Sequence, residues 1–207
     1  MNKILKFIFI LTLILLIISL NFKLLALNFE FYKKEFSKFN VYEKIPDADK
    51  HALNLINYFK DKEELSNFFN EKEKLHLKDV KNLFKKIFLI FYISLILTIS
   101  LLIYFIYKKY YKTIWSSFFI STLILIIIIL LFFIIDFNYL FTKFHIIMFN
   151  NYLWQLNPNE DNLINLFPEK LQYDIIRKIF INILISNILL LSLALIIKFK
   201  IKQKVFK

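Results

Sequence analysis

Glycine and cysteine are both missing from this 207-residue sequence, and proline occurs only 3 times. Without glycine there is no phosphate-cradling loop, no dinucleotide fingerprint and no GxxxG helix pair, since each needs a close backbone approach that a Cβ obstructs. Without cysteine the chain offers no disulfide, no thiolate nucleophile, no cysteine-based zinc site and no lipid-modified cysteine. Charge is sparse as well: 21% of residues are charged while 58% are hydrophobic, against about a quarter and about a half in soluble domains. Arginine is nearly absent, Arg177 being the single one. The abundance of Lys, Asn, Ile and Phe resembles AT-rich coding and carries little functional information.

What is present is a set of four apolar blocks, at about 7–22, 87–107, 114–135 and 179–197. Each approaches the roughly 20 residues a helix needs to cross hydrocarbon. The predicted fold class is therefore all-α: a polytopic membrane protein, one membrane domain of four transmembrane helices. Two outer loops, about 28–84 and 136–178, are expected to be helical and to form an extracellular cap. The first block is read as an uncleaved signal anchor. Its apolar stretch exceeds that of a signal peptide, and Leu24-Leu25-Ala26 makes a poor cleavage site.

The net charge of +12 follows from topology. Lys108, Lys109 and Lys112 fill the short turn between spans two and three, and Lys198, Lys200, Lys202, Lys204 and Lys207 follow span four, with no acid among either set. Such lysine excess marks cytoplasmic flanks, so both termini are predicted inside the cell membrane. In the first outer loop 11 lysines are matched by 11 acids, and in the second the acids slightly exceed the cations. The bilayer is the expected partner, and nucleic acid is not. No span carries a charged residue, which argues against an ion-coupled transporter. Asn182 and Asn187 of the last span are the amides expected at depth, bonding between helices.

In loop one, Asp47 or Asp49 after Pro46 is expected to cap a helix with Ala52, Leu53, Leu55, Ile56 and Phe59 on one face. A polar break at Lys60–Glu64 follows. Asn70-Glu71-Lys72-Glu73 fits a capping box, opening a helix that runs without Pro or Gly to Tyr107. Glu73, His76 and Asp79 then stand at i, i+3 and i+6, a spacing that predicts a carboxylate one turn either side of the imidazole, raising its pKa and orienting its ring. Loop two opens at Asp136 with an aromatic segment through Trp154, too short to span and suited to the headgroup layer. Asn157-Pro158-Asn159 reads as a turn, and Asp161 as the cap of a short helix that Pro168 stops.

Of the three histidines, His51 is expected to be a solvated surface residue. His76 and His145 each lie about ten residues from the outer end of a span, at similar depth. Three readings stay open on spacing alone: structural interfacial histidines, a general acid–base pair over a lipid headgroup, or a zinc site with two nitrogens and uncertain carboxylates. Ser37 and Ser66 sit in no nucleophile elbow.

The block Glu73-x-x-His76-x-x-Asp79-Val80-Lys81 resembles an element of the lipoprotein intramolecular transacylases, small four-span membrane proteins of low-GC Gram-positive bacteria. A second block resembles that family equally: Phe141-x-x-Phe144-His145, Phe149, then Trp154-x-Leu156-x-Pro158-x-x-Asp161-x-Leu163-Ile164 and Leu166-Phe167-Pro168. Lys44-Ile45-Pro46-Asp47-Ala48 stands where the family commonly has a glycine turn. The resemblance implies transfer of the sn-2 acyl chain of a diacylglyceryl lipoprotein to the amine of its N-terminal cysteine. It implies His76 and His145 as the catalytic pair, with no metal or organic cofactor. Glu73 and Asp79 are expected to support His76. Asn150, Asn151 and Asp161 are candidates for orienting the ester or the histidines, and Trp154 for seating the acyl-glycerol. The rival reading is a non-catalytic membrane protein whose outer loops bind a partner protein. The sequence leaves the oligomeric state open.

Overall fold

The structure is a computed structural model that describes residues 3–205; the side chains of Lys200, Lys202 and Lys204, and Lys207 as a whole, lie outside the described residues. Among them every regular element is a helix: α1 (Lys3–Ala26), α2 (Phe29–Lys38), α3 (Val41–Lys44), α4 (Ala48–Phe59), α5 (Glu71–Tyr107), α6 (Tyr111–Ile134), α7 (Phe137–Met148), α8 (Asn162–Leu166) and α9 (Glu169–Val205). The chain divides into two compact units. One comprises the stretch through Phe22, Ile87–Ile135 and the chain from Ile179; the other comprises Lys23–Lys86 and Asp136–Lys178.

The first unit holds the apolar parts of α1, α5, α6 and α9, the four helices long and apolar enough to cross a membrane. Phe9, Leu13 and Ile17 of α1 bury against Phe105 of α5, Ile114, Phe118 and Leu125 of α6, and Ile183, Leu190 and Ala194 of α9. Phe9 meets Phe105 edge-on with centroids 5.3 Å apart. In place of glycine, α6 presents Thr113, Ser117 and Ser121 at i, i+4 spacing, all buried, so small hydroxyl residues form the face on which helices pack closely. Elsewhere the helices expose large apolar groups, among them Ile96, Ile103 and Leu189, the side chains that lipid covers. Asn187 donates to the Thr122 carbonyl at 3.2 Å, as expected of an amide at depth. Another interhelical bond comes from Asn21, which donates to the Ser186 hydroxyl at 3.1 Å. Asn21 rather than Asn182 makes this contact, because residue 21 still lies within an α1 that continues to Ala26.

The second unit has its own core. Tyr32 and Phe36 of α2, Val41, Ile45, Ala48, Ala52, Leu55 and Ile56 pack with Phe69, Leu77, Leu163, Leu166 and Leu171. Leu53, expected on the inner face of α4, is 43% exposed; Tyr58 is buried in addition to the predicted Ala52, Leu55 and Ile56. Neither Asp47 nor Asp49 caps α4. Asp47 occupies the N-cap position without a side-chain bond, and Asp49 accepts from the Tyr42 hydroxyl at 2.6 Å. α2 begins at Asn28, whose side chain accepts from the Phe31 N–H. The turns a glycine would ordinarily make are carried by Asn40, Asp61 and Lys109, with φ of 55°, 56° and 58°; Asn and Asp tolerate this region best. The Lys44–Ala48 turn needs no left-handed residue.

Candidate active site

The site lies within the second unit and is built from the N-terminal part of α5, from α7 and from the segment 149–161 that follows it. α5 begins with a true capping box: the Asn70 side chain accepts from the Glu73 N–H at 2.9 Å, and Glu73 Oε2 accepts from the Asn70 N–H at 2.7 Å. From that fixed start α5 runs unbroken for 37 residues, and one turn in it carries His76. α7 is capped by Asp136, which accepts from the Tyr139 N–H at 2.9 Å, and it carries His145 on its buried side. Both imidazoles are buried, 7% and 8% exposed, and their ring centroids stand 6.2 Å apart. Phe149 wedges against both, 5.3 Å from His76 and 5.6 Å from His145.

His145 Nδ1 lies 2.7 Å from the Phe141 carbonyl oxygen, one turn back in α7. A carbonyl only accepts, so this bond assigns the proton to Nδ1 and leaves the lone pair of the neutral ring on Nε2. Phe141 and Trp154 flank the ring at 4.0 and 4.8 Å. Burial pushes the His145 pKa down, against a smaller upward pull from the Phe141 carbonyl. His76 is pushed further, to about 4, by burial first and by His145 second, with Asp79 pulling weakly the other way. Its Nδ1 is buried without a hydrogen-bond partner. A stranded lone pair is more tolerable than a stranded N–H, which favours the proton on Nε2.

The expected rise in the His76 pKa is thereby corrected: it falls, because burial and the neighbouring His145 outweigh the upward pull of Asp79, while Glu73 and Asp79 make their hydrogen bonds to other partners. Glu73, fully buried, places Oε1 on the Leu163 N–H in α8 and so caps that helix from a distance of 90 residues along the chain. Its own pKa is raised by burial, although the N–H groups of Leu163 and Asn70 oppose the shift. Asp79 accepts from the Asn151 side chain at 2.8 Å. Asn151 in turn accepts from the Leu153 N–H at 3.1 Å, and its carbonyl accepts from Trp154 Nε1 at 3.0 Å. Asp79 thus reaches the site through Asn151 and Trp154, on the His145 side.

Asp161 stands at the N-cap of α8 but makes no cap bond. Its buried carboxylate accepts instead from the Asn70 side chain (2.8 Å), the Asn157 N–H (2.7 Å) and Lys72 Nζ (3.1 Å), which hold its pKa below the usual carboxylate range despite burial. It fastens the Asn157–Asp161 turn to the start of α5. Asn150 is exposed and lies apart from these contacts. His51 is not simply solvated: it stacks on Phe68 at 3.6 Å, away from the pair. No group of three or more His, Cys, Asp or Glu able to hold a metal ion occurs among the described residues.

Both histidines open on a cavity of about 500 Å³. Its floor is apolar, formed by the buried Tyr32, Leu55, Leu77 and Leu163, and its rim is polar, with Asn138, Gln155 and Glu169 exposed. Tyr32 presents only its ring, because its hydroxyl is spent on the Ala26 carbonyl at 2.9 Å. The floor residues were not singled out as site residues from the sequence. Their apolar spacing marks them as core, and nothing local says that this core is hollow.

Four helices able to span a membrane, with a unit that buries two imidazoles beside a cavity of apolar floor, define a class: the multi-pass membrane proteins. The chain belongs to the family described as lipoprotein intramolecular transacylase Lit, whose sequence model matches residues 7–171. Its fold is similar to the in meso structure of the membrane-integral lipoprotein intramolecular transacylase Lit from Bacillus cereus, with a TM-score of 0.84 and 23% identity over 99% of this chain and 98% of that one. Two structures of the same Bacillus cereus protein, one with a histidine changed to arginine and one with it changed to alanine, give TM-scores of 0.79 and 0.78 at 21% identity. They cover 98% and 99% of this chain, and 94% and 96% of theirs. None of the curated proteins matches the chain.

Proposed function

We propose that this protein moves the sn-2 acyl chain of a diacylglyceryl lipoprotein to the amine of that lipoprotein's N-terminal cysteine, with His145 as general base and His76 as oxyanion donor. The observation that carries the reading is the pairing of two buried imidazoles 6.2 Å apart over an apolar cavity, in a chain of this family.

The cysteine amine has an intrinsic pKa of about 7.7–8.0 and attacks only when neutral. As its nitrogen bonds to the ester carbonyl carbon, the nitrogen sheds a proton to His145 Nε2, the ring atom left bare by the Nδ1–Phe141 bond. The carbonyl oxygen gains negative charge, and the Nε2–H of a neutral His76 donates to it. The carbon–oxygen bond to the glycerol sn-2 position then breaks, and the imidazolium of His145 returns its proton to the leaving oxygen. The products are an amide and a free sn-2 hydroxyl, and no proton is gained or lost overall. Amine and ester share one substrate, so little orientational freedom has to be lost at the barrier. His145 suits the base role better than His76, whose pKa near 4 makes it a weak base that stays neutral. Asn151 and Trp154, tied to Asp79, orient His145; Glu73 and Asp161 hold the frame.

The lysine distribution supports termini on the cytoplasmic side and the site on the outer face of the cell membrane, where mature lipoproteins expose their amines. The test is mass spectrometry of a reporter lipoprotein's N-terminal peptide in a bacterium depleted of its own N-acyltransferase. Wild type is expected to give N-acylated, monoacylglyceryl cysteine, and His76→Ala and His145→Ala, at equal membrane levels, to lose it. Diacylglyceryl cysteine with a free amine in the presence of wild-type protein would favour the partner-binding alternative.

A further inference from the structure

We infer that the second unit itself, and not the surrounding lipid, holds the chain being transferred, so that the cavity floor gauges acyl length. This inference rests on the transacylase reading and specifies where its substrate sits. The cavity's volume of about 500 Å³ falls within the range of pockets that enclose small ligands, roughly 300–1,000 Å³. Its lining is sorted by polarity in one direction. Leu55 of α4, Leu77 of α5 and Leu163 of α8 are 6%, 3% and 8% exposed and form a floor with no free polar group, since the one hydroxyl there, on Tyr32, is bonded to Ala26. Of the polar members, Asn138, Thr142, Gln155 and Glu169 stand at the exposed rim, and the half-buried Gln172 donates its amide N–H to the Phe167 carbonyl at 2.7 Å.

A headgroup or a peptide would leave its polar atoms unpaired against such a floor, whereas an acyl chain leaves none. Taking that chain out of lipid carries little cost, because lipid tails and a leucine-lined floor are comparably apolar. With the chain seated below, its ester carbonyl comes level with His76 and His145 on the wall, and the glycerol and peptide remain at the polar rim. Leu55, Leu77 and Leu163 come from three helices joined through the shared core, so the floor is fixed and its depth sets a length.

Two measurements on the intact protein test this. In the first, an N-acetylated diacylglyceryl lipopeptide, which cannot accept an acyl group, carries a diazirine near the end of its sn-2 chain and is irradiated with wild-type protein in vesicles. Adducts are expected on the peptides containing Leu55, Leu77 or Leu163; adducts confined to the spanning segments 114–134 and 179–197 would overturn the inference. In the second, Leu55→Phe and Leu55→Ala are given mixtures of C12 and C18 lipopeptides. Leu55→Phe, which shortens the floor, is expected to lower the C18:C12 product ratio severalfold, because the longer chain no longer fits without overpacking, and Leu55→Ala to shift it the other way. A ratio unchanged from wild type in a folded variant would overturn the inference. Absence of N-acyl product from wild type in this mixture would overturn the transacylase reading instead, and the adduct positions would still decide whether the cavity holds an acyl chain.

Discussion

Glu73 separates a frame-holding role from a catalytic one. Its carboxylate is fully buried, with one oxygen on the Asn70 N–H at 2.7 Å and the other on the Leu163 N–H. A glutamine in its place keeps the shape but has a single acceptor oxygen, so one of these main-chain N–H groups comes to face an NH₂. Losing one charge-assisted bond and stranding a donor costs about 1.5–3 kcal/mol. Part is recovered because burial already disfavours the ionised carboxylate, and the net for Glu73→Gln is about 1–2 kcal/mol. Glu73→Ala loses both bonds and leaves a void, for about 3–5 kcal/mol. At roughly 2–4 °C per kcal/mol for a chain of this size, the expected falls in Tm are about 2–8 °C and more than about 6 °C. Scanning fluorimetry of detergent-solubilised protein reads them. Turnover measured well below the Tm is expected to fall only severalfold in Glu73→Gln, because the glutamine keeps one of the two main-chain bonds and the Asn70 side chain still caps the start of α5. An unchanged Tm with a hundredfold loss of turnover would refute this account and restore Glu73 as the direct support of His76 that its i, i+3 spacing suggests.

The His76 pKa makes the fold pH-sensitive in one direction. Its folded-state value of about 4 lies below the ordinary 6.5, so the stability it contributes is complete above about pH 6.5 and is lost as pH falls toward 4, up to about 3 kcal/mol; the Tm is expected to drop over that window in wild type and by less in His76→Gln. Asn151→Asp sets a second carboxylate 2.8 Å from Asp79; a loss of turnover of at least tenfold is expected, with a shift in Trp154 emission as its Nε1 bond to residue 151 is disturbed. Asn187→Leu removes one interhelical bond, to Thr122, and is expected to change stability by less than about 1 kcal/mol, measured by unfolding in mixed micelles, since such bonds average about 0.6 kcal/mol in membranes.

Much of this molecule is legible in its sequence because the strongest signals are local. Four apolar blocks and the capping box at Asn70–Glu73 each follow from a few neighbouring residues, and α5 does run unbroken from Glu71 to Tyr107. What the sequence does not disclose is competition between distant partners. Helical spacing puts Glu73 and Asp79 within reach of His76, yet Leu163 and Asn151, 90 and 72 residues away, take those carboxylates. Asp161 is lost as a helix cap for the same reason, drawn off by Asn70 and Lys72. Burial is the other hidden quantity. It moves His76 downward where its neighbours in sequence predict an upward shift, and it turns Leu55 and Leu163 from ordinary core into the floor of a cavity.

The central claim is that the acyl group moves within one substrate molecule, from glycerol oxygen to cysteine nitrogen. Its most direct test is a crossover experiment with purified protein in vesicles. One lipopeptide carries a perdeuterated sn-2 chain, a second has a different peptide sequence and unlabelled chains, and the two are mixed before the reaction. The account predicts deuterated amide only on the first peptide and unlabelled amide only on the second, each with a free sn-2 hydroxyl, and neither product with His145→Ala. Deuterated amide on the second peptide would show transfer between molecules and contradict it.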